Sequence, residues 1–376
     1  MKILTIVGAR PQFIKAAVVS RAIAEYNSHC ILGKHIEEKI VHTGQHYDQN
    51  MSDIFFEEMQ IPRPHYNLAI GSGSHAEQTG NMMIALEKVY LDEKPDMVLV
   101  YGDTNSTLAG SLTAAKLHIP VVHVEAGLRS FNREMPEEIN RILTDQISTL
   151  LICPTDAAVD NLKNEGIPNN HNYCKVVNCG DTMNDAAIFY GSLSNNKWLK
   201  DNCLQSNNFI LATIHRAEST NTTERLSKLI SALDKISKEY YQVVWPMHPR
   251  TKAMINNYSD LKKQIKNSYI RIIEPIGYLD MVCAEKNCRL ILTDSGGVQK
   301  EAFFHKKLCV TMRTETEWIE LVKTGWNKIA GLEPENIIKC VKKMLEKNID
   351  NLDYPNLYGN GTAGEKIVKE LLLLEY

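Results

Sequence analysis

Asp294-Ser295-Gly296-Gly297 follows a short apolar run at 290–292 and precedes Val298-Gln299-Lys300-Glu301-Ala302-Phe303, a string of helical composition. The Ser295, Gly296 and Gly297 amides are thereby expected at a helix N-terminus, pointing outward, where unsatisfied N–H groups and the helix dipole bind phosphate. Glycine lets a diphosphate come close to the backbone, and Glu301 lies on the first turns, within reach of a sugar hydroxyl. A capped helix after a tight turn produces the same string, so the phosphate reading draws its weight from its company. Gly8-Ala9-Arg10-Pro11 leaves Arg10 on a strand-to-helix loop with Lys15 one turn further, and both cations could neutralise a diphosphate. A solvated surface pair is the competing reading, stronger for Lys15 than for Arg10. His215, in Thr213-Ile214-His215-Arg216, and His248, in Met247-His248-Pro249-Arg250, each follow a strand and could face phosphate as cations or donate a proton.

Acidic positions also follow apolar runs. Asp103 stands in Val100-Tyr101-Gly102-Asp103-Thr104, Glu125 in Val124-Glu125-Ala126-Gly127-Leu128-Arg129, and Glu137 in Met135-Pro136-Glu137-Glu138. Carboxylates that converge in unlike surroundings divide acid and base roles between them. An Asx turn is the bland account of Asp103, and an ordinary helix start that of Glu137. Glu125 is hardest to explain away, because an acid closing an apolar strand needs a partner, for which Arg129 is the candidate. Nothing has the spacing of a zinc site: His42-Thr43-Gly44-Gln45-His46 carries a helix-breaking glycine. Neither G-x-x-x-x-G-K-[ST] nor G-x-G-x-x-G occurs after the first strand.

These residues are positioned by alternating strands and helices, which predict an α/β fold of parallel sheets. The polar stretch 191–208 reads as a boundary, after which the alternation restarts at 209–213. The expected organisation is two Rossmann-like domains with a cleft between them: 1–179 with a returning terminal helix at 364–376, and 180–363. In such sheets ligands bind beyond the C-terminal ends of the strands.

The 376-residue chain carries 42 Lys and Arg against 45 Asp and Glu, a net charge of −3, so no overall cationic field is available for nucleic acid or an anionic membrane surface. No apolar run reaches the length of a membrane span, and the N-terminus lacks the pattern of a signal peptide, so a cytoplasmic protein is expected. The nine cysteines form no C-x-x-C pair and read as reduced thiols, mostly buried.

The ordered strings Val7-Gly8-Ala9-Arg10-Pro11, Val41-His42-Thr43-Gly44-Gln45-His46, Val100-Tyr101-Gly102-Asp103-Thr104, His123-Val124-Glu125-Ala126-Gly127-Leu128-Arg129, Pro136-Glu137-Glu138-Ile139-Asn140-Arg141, His215-Arg216 and Leu292-Thr293-Asp294-Ser295-Gly296-Gly297 are together distinctive. Over essentially its full length the chain resembles the non-hydrolysing UDP-N-acetylglucosamine 2-epimerases. The resemblance implies a GT-B-like pair of Rossmann domains, no required metal or other cofactor, a UDP-sugar substrate, a role in polysaccharide biosynthesis and commonly a homodimer. It implies C2 epimerisation of UDP-GlcNAc to UDP-ManNAc by elimination of UDP, through a 2-acetamidoglucal, and re-addition. By motif, Asp103, Glu125 and Glu137 become the acid/base set and His215 a catalytic or leaving-group residue. Arg10, His248, Ser295, Gly296 and Gly297 then hold phosphate and Glu301 the ribose, while Lys15 stays a substrate-binding candidate from its position alone.

One string departs from the family pattern. In place of Arg-x-Thr-Thr-Glu-Arg-Pro-Glu stands Arg313-Thr314-Glu315-Thr316-Glu317-Trp318-Ile319-Glu320, which keeps Arg313 as a substrate-binding candidate but trades a cation near the substrate for an aromatic surface. Gln45-His46-Tyr47-Asp48 is also less basic than the version associated with allosteric activation. The expected alternatives are the same inversion on a modified sugar such as a UDP-2,3-diacetamido-uronate, a hydrolysing relative, or a GT-B glycosyltransferase.

Overall fold

A computed structural model describes residues 1–30, 35–45, 56, 59–168 and 174–374. The chain divides into two compact units, Met1–Ala186 with Asn356–Tyr376, and Ala187–Pro355. The first boundary falls inside the helix Thr182–Leu193, later than the expected 179 and ahead of the polar stretch 191–208. The chain returns to the first unit at Asn356, earlier than the terminal helix itself. Hydrogen bonds explain this: Asp181 N–H donates to the Tyr358 carbonyl at 2.9 Å, and Asn184 Nδ2 to the Gly359 carbonyl at 3.0 Å.

The first unit is a parallel sheet of β1 (Lys2–Val7), β2 (Glu37–His42), β3 (Tyr66–Asn67), β4 (Met97–Tyr101), β5 (Val121–Val124), β6 (Leu150–Cys153) and β7 (Lys175–Asn178), in the order β3-β2-β1-β4-β5-β6-β7. The central strands β4 and β5 are buried at every residue, which is why they read as unbroken apolar runs instead of alternating ones. The strand order reverses between β1 and β4, and the loops after these two strands therefore part and leave a crevice. The helix Ala363–Leu372 packs on the helix Arg10–His29, so closely that a side chain at Gly364 would meet the Val18 carbonyl at 3.0 Å.

The second unit repeats the design with β8 (Phe209–Thr213), β9 (Gln242–Pro246), β10 (Arg271–Ile273), β11 (Leu290–Thr293), β12 (Cys309–Thr311) and β13 (Asn327–Ile329), ordered β10-β9-β8-β11-β12-β13 and parallel. Here the reversal lies between β8 and β11, whose ends carry Thr213 and Thr293 side by side, hydroxyl to hydroxyl at 2.6 Å. The α/β expectation with two Rossmann-like units is met. Among the described residues no helix is long and apolar enough to cross a membrane. All nine cysteines are free thiols, and most are buried.

The opposite end of the first sheet is tied by one carboxylate. Glu93, last residue of the helix His75–Glu93, accepts from Lys2 at 2.7 Å, from Lys39 at 2.8 Å and from the Tyr66 hydroxyl, joining β1, β2 and β3. These three donors hold its pKa down to about 2, from 4.5. A carboxyl whose folded pKa is depressed contributes stability above its unfolded pKa and loses it as the pH falls through the folded value. The unfolding midpoint is therefore expected to drop between pH 4.5 and about 2, and Glu93→Gln should flatten that limb in a thermal series. An unchanged acid limb would refute the assignment.

Candidate active site

In the first unit the loops after β1, β4 and β5 carry the predicted groups to one place. Gly102 follows β4 with φ +64°, a left-handed turn, and a side chain there would meet Glu125 Oε2 at 3.2 Å and Lys15 Nζ at 3.5 Å. Lys15 and Glu125 thus lie directly over the Gly102 peptide. Their ammonium and carboxylate are in contact, both nearly buried. Glu125 itself has φ +73°, a strained conformation for a non-glycine residue, held by its own N–H and that of Ala126 donating to the Ile152 carbonyl at 3.0 Å each. Arg129, expected to be its partner, points elsewhere: it bonds Asp145 at 2.7 Å and grips Glu165 through Nε and NH2. The left-handed turn at Glu125 sends the carboxylate back toward the first helix, where Lys15 waits.

Asp103 pairs with Arg141 NH1 at 3.2 Å in a recess from which about a third of its side chain still reaches solvent. Burial lifts its pKa, and Glu125 and Glu137 push the same way against the pull of Arg141 and Lys15. Asp103, Glu125, Glu137 and Lys15 are therefore one electrostatic cluster. Glu137 is exposed on the first turn of the helix Pro136–Ile147. Arg10, half-buried, opens the helix Arg10–His29 after β1.

In the second unit His215 and His248 stand together, ring centroids 5.5 Å apart. His248 caps the helix Pro249–Asn257: its Nδ1 accepts from Arg250 N–H at 3.2 Å, which leaves the neutral ring with its proton on Nε2. Ser295 is the N-cap of the helix Gly296–Phe304 but its side chain caps nothing, so the first-turn amides of Gly296 and Gly297 keep their donors for another acceptor. A side chain at Gly296 would meet Glu317 Oε1 at 3.2 Å and Arg216 NH2 at 3.6 Å.

Arg313, the substrate-binding candidate of this string, is buried, with NH1 on Glu317 at 2.8 Å. Glu317 also receives Arg216 at 3.2 Å; burial would raise its pKa, but Arg313, its own backbone N–H and Arg216 outweigh that and hold it low. Trp318 offers no aromatic surface. It is 7% exposed, with Lys300 Nζ 4.3 Å above its ring, while Ile319 faces solvent. Glu301 lies partly exposed on the helix Gly296–Phe304.

The residues that hold these turns are ones that sequence reasoning did not single out. Gln12 accepts from the Gly8 and Ala9 amides at 2.8 and 3.0 Å and donates to the Tyr101 carbonyl at 2.7 Å, stitching the β1 loop to β4. His123 places Nδ1 on Asp145 and Nε2 on the Gly102 carbonyl, both at 2.7 Å, and Asp145 also takes the Gly127 amide at 3.2 Å. Glu138 collects Ser130 and Phe131 N–H groups and Arg141. Asp294, wholly buried, accepts from the His215 and Arg216 amides at about 3 Å. A histidine inside an all-apolar strand, Val121-Val122-His123-Val124, was the one signal available. Gln45 is buried with its side-chain oxygen on Ser106, and 46–48 lie outside the described residues.

A sequence profile described as UDP-N-acetylglucosamine 2-epimerase matches residues 31–372. The chain is 50% identical to the UDP-2,3-diacetamido-2,3-dideoxy-D-glucuronate 2-epimerase of Pseudomonas aeruginosa, covering all of both chains. It is 45% identical to the UDP-N-acetylglucosamine 2-epimerase of Methanocaldococcus jannaschii, again covering all of both. The crystal structure of that enzyme in complex with UDP-GlcNAc and UDP superposes with a TM-score of 0.86 over 99% of each chain. The Neisseria meningitidis enzyme bound to UDP-GlcNAc gives 0.84 at 33% identity, over 99% of this chain and 100% of the other.

Removing one member of a buried ion pair strands the other in low dielectric. Asp145→Ala is expected to cost about 3–5 kcal/mol in urea unfolding, because it takes a buried carboxylate from His123 and Arg129 together, leaving Arg129 only Glu165 as a counter-charge. A loss below about 1 kcal/mol, the range of an exposed pair, would show that the network does not hold these turns.

Proposed function

Because the chain belongs to the UDP-N-acetylglucosamine 2-epimerase family, we propose that it inverts C2 of a UDP-linked 2-acetamido sugar, UDP-GlcNAc to UDP-ManNAc, by eliminating UDP and adding it back. The observation that carries this reading is the coupled cluster of Asp103, Glu125, Glu137 and Lys15 at the strand-order reversal of the first unit. A poorly acidic C2 proton needs a base on one face and an acid on the other, and the cluster offers carboxyls in unlike surroundings. Asp103, its pKa raised, is suited to carry a proton; Glu125, paired with Lys15, is suited to accept one. When C2 loses its proton, the C1–O bond breaks and its electron pair leaves with UDP, giving a 2-acetamidoglucal. Re-addition after protonation on the other face yields the epimer.

The barrier then lies largely in the departing diphosphate, which preorganised donors stabilise. In the second unit the uncapped Gly296 and Gly297 amides, the His248 Nε2–H and His215 supply such donors; in the first, Arg10 and Lys15 are cations on one helix, Lys15 as the partner of Glu125. Glu301 takes the ribose, and Arg313 acts through Glu317 by fixing Arg216. The cytoplasm holds the UDP-sugar pool this reaction draws on, and its product suits polysaccharide biosynthesis. The 50% identical Pseudomonas aeruginosa relative favours a second reading, the same inversion on UDP-2,3-diacetamido-2,3-dideoxy-D-glucuronate.

Proton NMR in deuterated buffer with UDP-GlcNAc and the diacetamido-glucuronate decides between them: the true substrate epimerises and takes deuterium at C2 without net release of UDP. Accumulation of UDP would indicate hydrolysis, and retention of the C2 proton would refute elimination. Asp103→Asn is expected to lower kcat by about 100-fold or more with UDP binding largely kept.

A homodimer fits the outer face of the first unit, where Ile84 and Leu91 of the helix His75–Glu93 and Leu143 of the helix Pro136–Ile147 are exposed. Ile84→Lys with Leu143→Lys should halve the mass in sedimentation equilibrium. A wild-type monomer would remove this part of the reading.

A further inference from the structure

Behind the helix Gly296–Phe304 lies a carboxyl that the proposed reaction does not use. Glu285, on the helix Tyr278–Asn287, is 0% exposed, and neither of its side-chain oxygens has a donor among the described residues. The group facing it is another carboxyl, that of Glu301, at hydrogen-bonding reach. Two ionised carboxylates cannot share a dry site, since each offers only acceptors and both are charged alike.

Among the described residues no cation pairs with Glu285 itself. His305 Nε2 stands 3.8 Å from Glu285 Oε2, beyond hydrogen-bonding distance, and burial with Lys286 and Lys307 nearby lowers its pKa to about 4, leaving it neutral. The Lys286 ammonium is bonded to the Gly191 carbonyl at 3.0 Å and that of Lys307 to Asn207 Oδ1 at 2.8 Å. The Cys288 thiol donates to the Glu285 main-chain carbonyl at 3.2 Å, and Cys309, the other titratable neighbour, is a buried thiol pushed up in pKa. A proton between the two carboxyls removes the clash of like charges and gives Glu285 its hydrogen bond. Burial and Glu301 both push the pKa of Glu285 well up, so the proton belongs to the deeper residue.

We propose that Glu285 is a positioning residue of the nucleotide site, donating its proton in a hydrogen bond to Glu301 and so keeping Glu301 ionised, fixed in rotation and directed at the ribose hydroxyls of a uridine nucleotide. This rests on the reading above in which Glu301 meets the ribose. A buried neutral acid is a better support than a lysine here, because it fixes Glu301 without neutralising it as an acceptor.

Calorimetric titration with UDP and with 2′,3′-dideoxy-UDP tests it. Wild type is expected to prefer UDP by about tenfold, the scale of a hydrogen bond to a charged group. Glu285→Gln, whose amide can donate in the same place, should keep that preference, and Glu285→Leu should abolish it while still binding UDP through phosphate. An unchanged preference in Glu285→Leu, or its loss in Glu285→Gln, overturns the inference. A second measurement does not depend on the leucine variant folding: at about pH 8, wild type should show the infrared carbonyl band of a protonated carboxyl that Glu285→Gln lacks. Absence of that band overturns the shared proton. Failure of wild type to bind UDP overturns the nucleotide reading instead, and the infrared band then still reports on the pair.

Discussion

A carboxylate taken out of water must be met by donors, and in this protein that requirement sets the shape of every candidate reactive loop. Asp145 gathers His123, Arg129 and the Gly127 amide, and through His123 it also fixes the Gly102 carbonyl. Glu138 gathers the Ser130–Phe131 amides and Arg141, which in turn faces Asp103. Asp294 does the same for the His215–Arg216 backbone, and the half-buried Glu317 for the two guanidinium groups beside the Gly296 turn. Each acid costs several kcal/mol to desolvate and is strongly destabilising if left unpaired, so the loops it binds have few alternatives. The side chains assigned to chemistry are held one bond further out.

This explains what could and could not be read from the chain. The α/β alternation and the strand ends were legible because parallel strands buried on both faces leave unbroken apolar runs, and Gly102 and the Ser295 turn mark where they stop. Partnerships were not legible. Glu125 and Arg129 are four apart, an attractive pairing on paper, yet the left-handed turn at Glu125 sends it to Lys15, 110 positions away, and Arg129 is claimed by Asp145 and Glu165. Trp318 shows the same limit. An aromatic in a loop looks like a ligand contact, but this one is buried with Lys300 over its ring.

The charge arithmetic gains meaning from this. A net charge of −3 suggests a chain indifferent to anions. Much of the negative charge around the two sites is internal and already matched, while the uncapped amides of Gly296 and Gly297 carry partial positive charge that no count of residues records.

Beneath the Lys15–Glu125 pair lies the Gly102 peptide. Gly102 provides that floor with a left-handed φ and no side chain, and the first atoms an added methyl would strike are the carboxylate and ammonium themselves. In an ordinary tight turn a neighbour can shrink to accommodate a larger residue. At this position the neighbours are the two members of a nearly buried ion pair, which must shift together to make room. Two separate costs therefore fall on any side chain at position 102, the left-handed backbone and the displaced ion pair, so one missing methyl sets both the turn after β4 and the depth at which Lys15 and Glu125 meet.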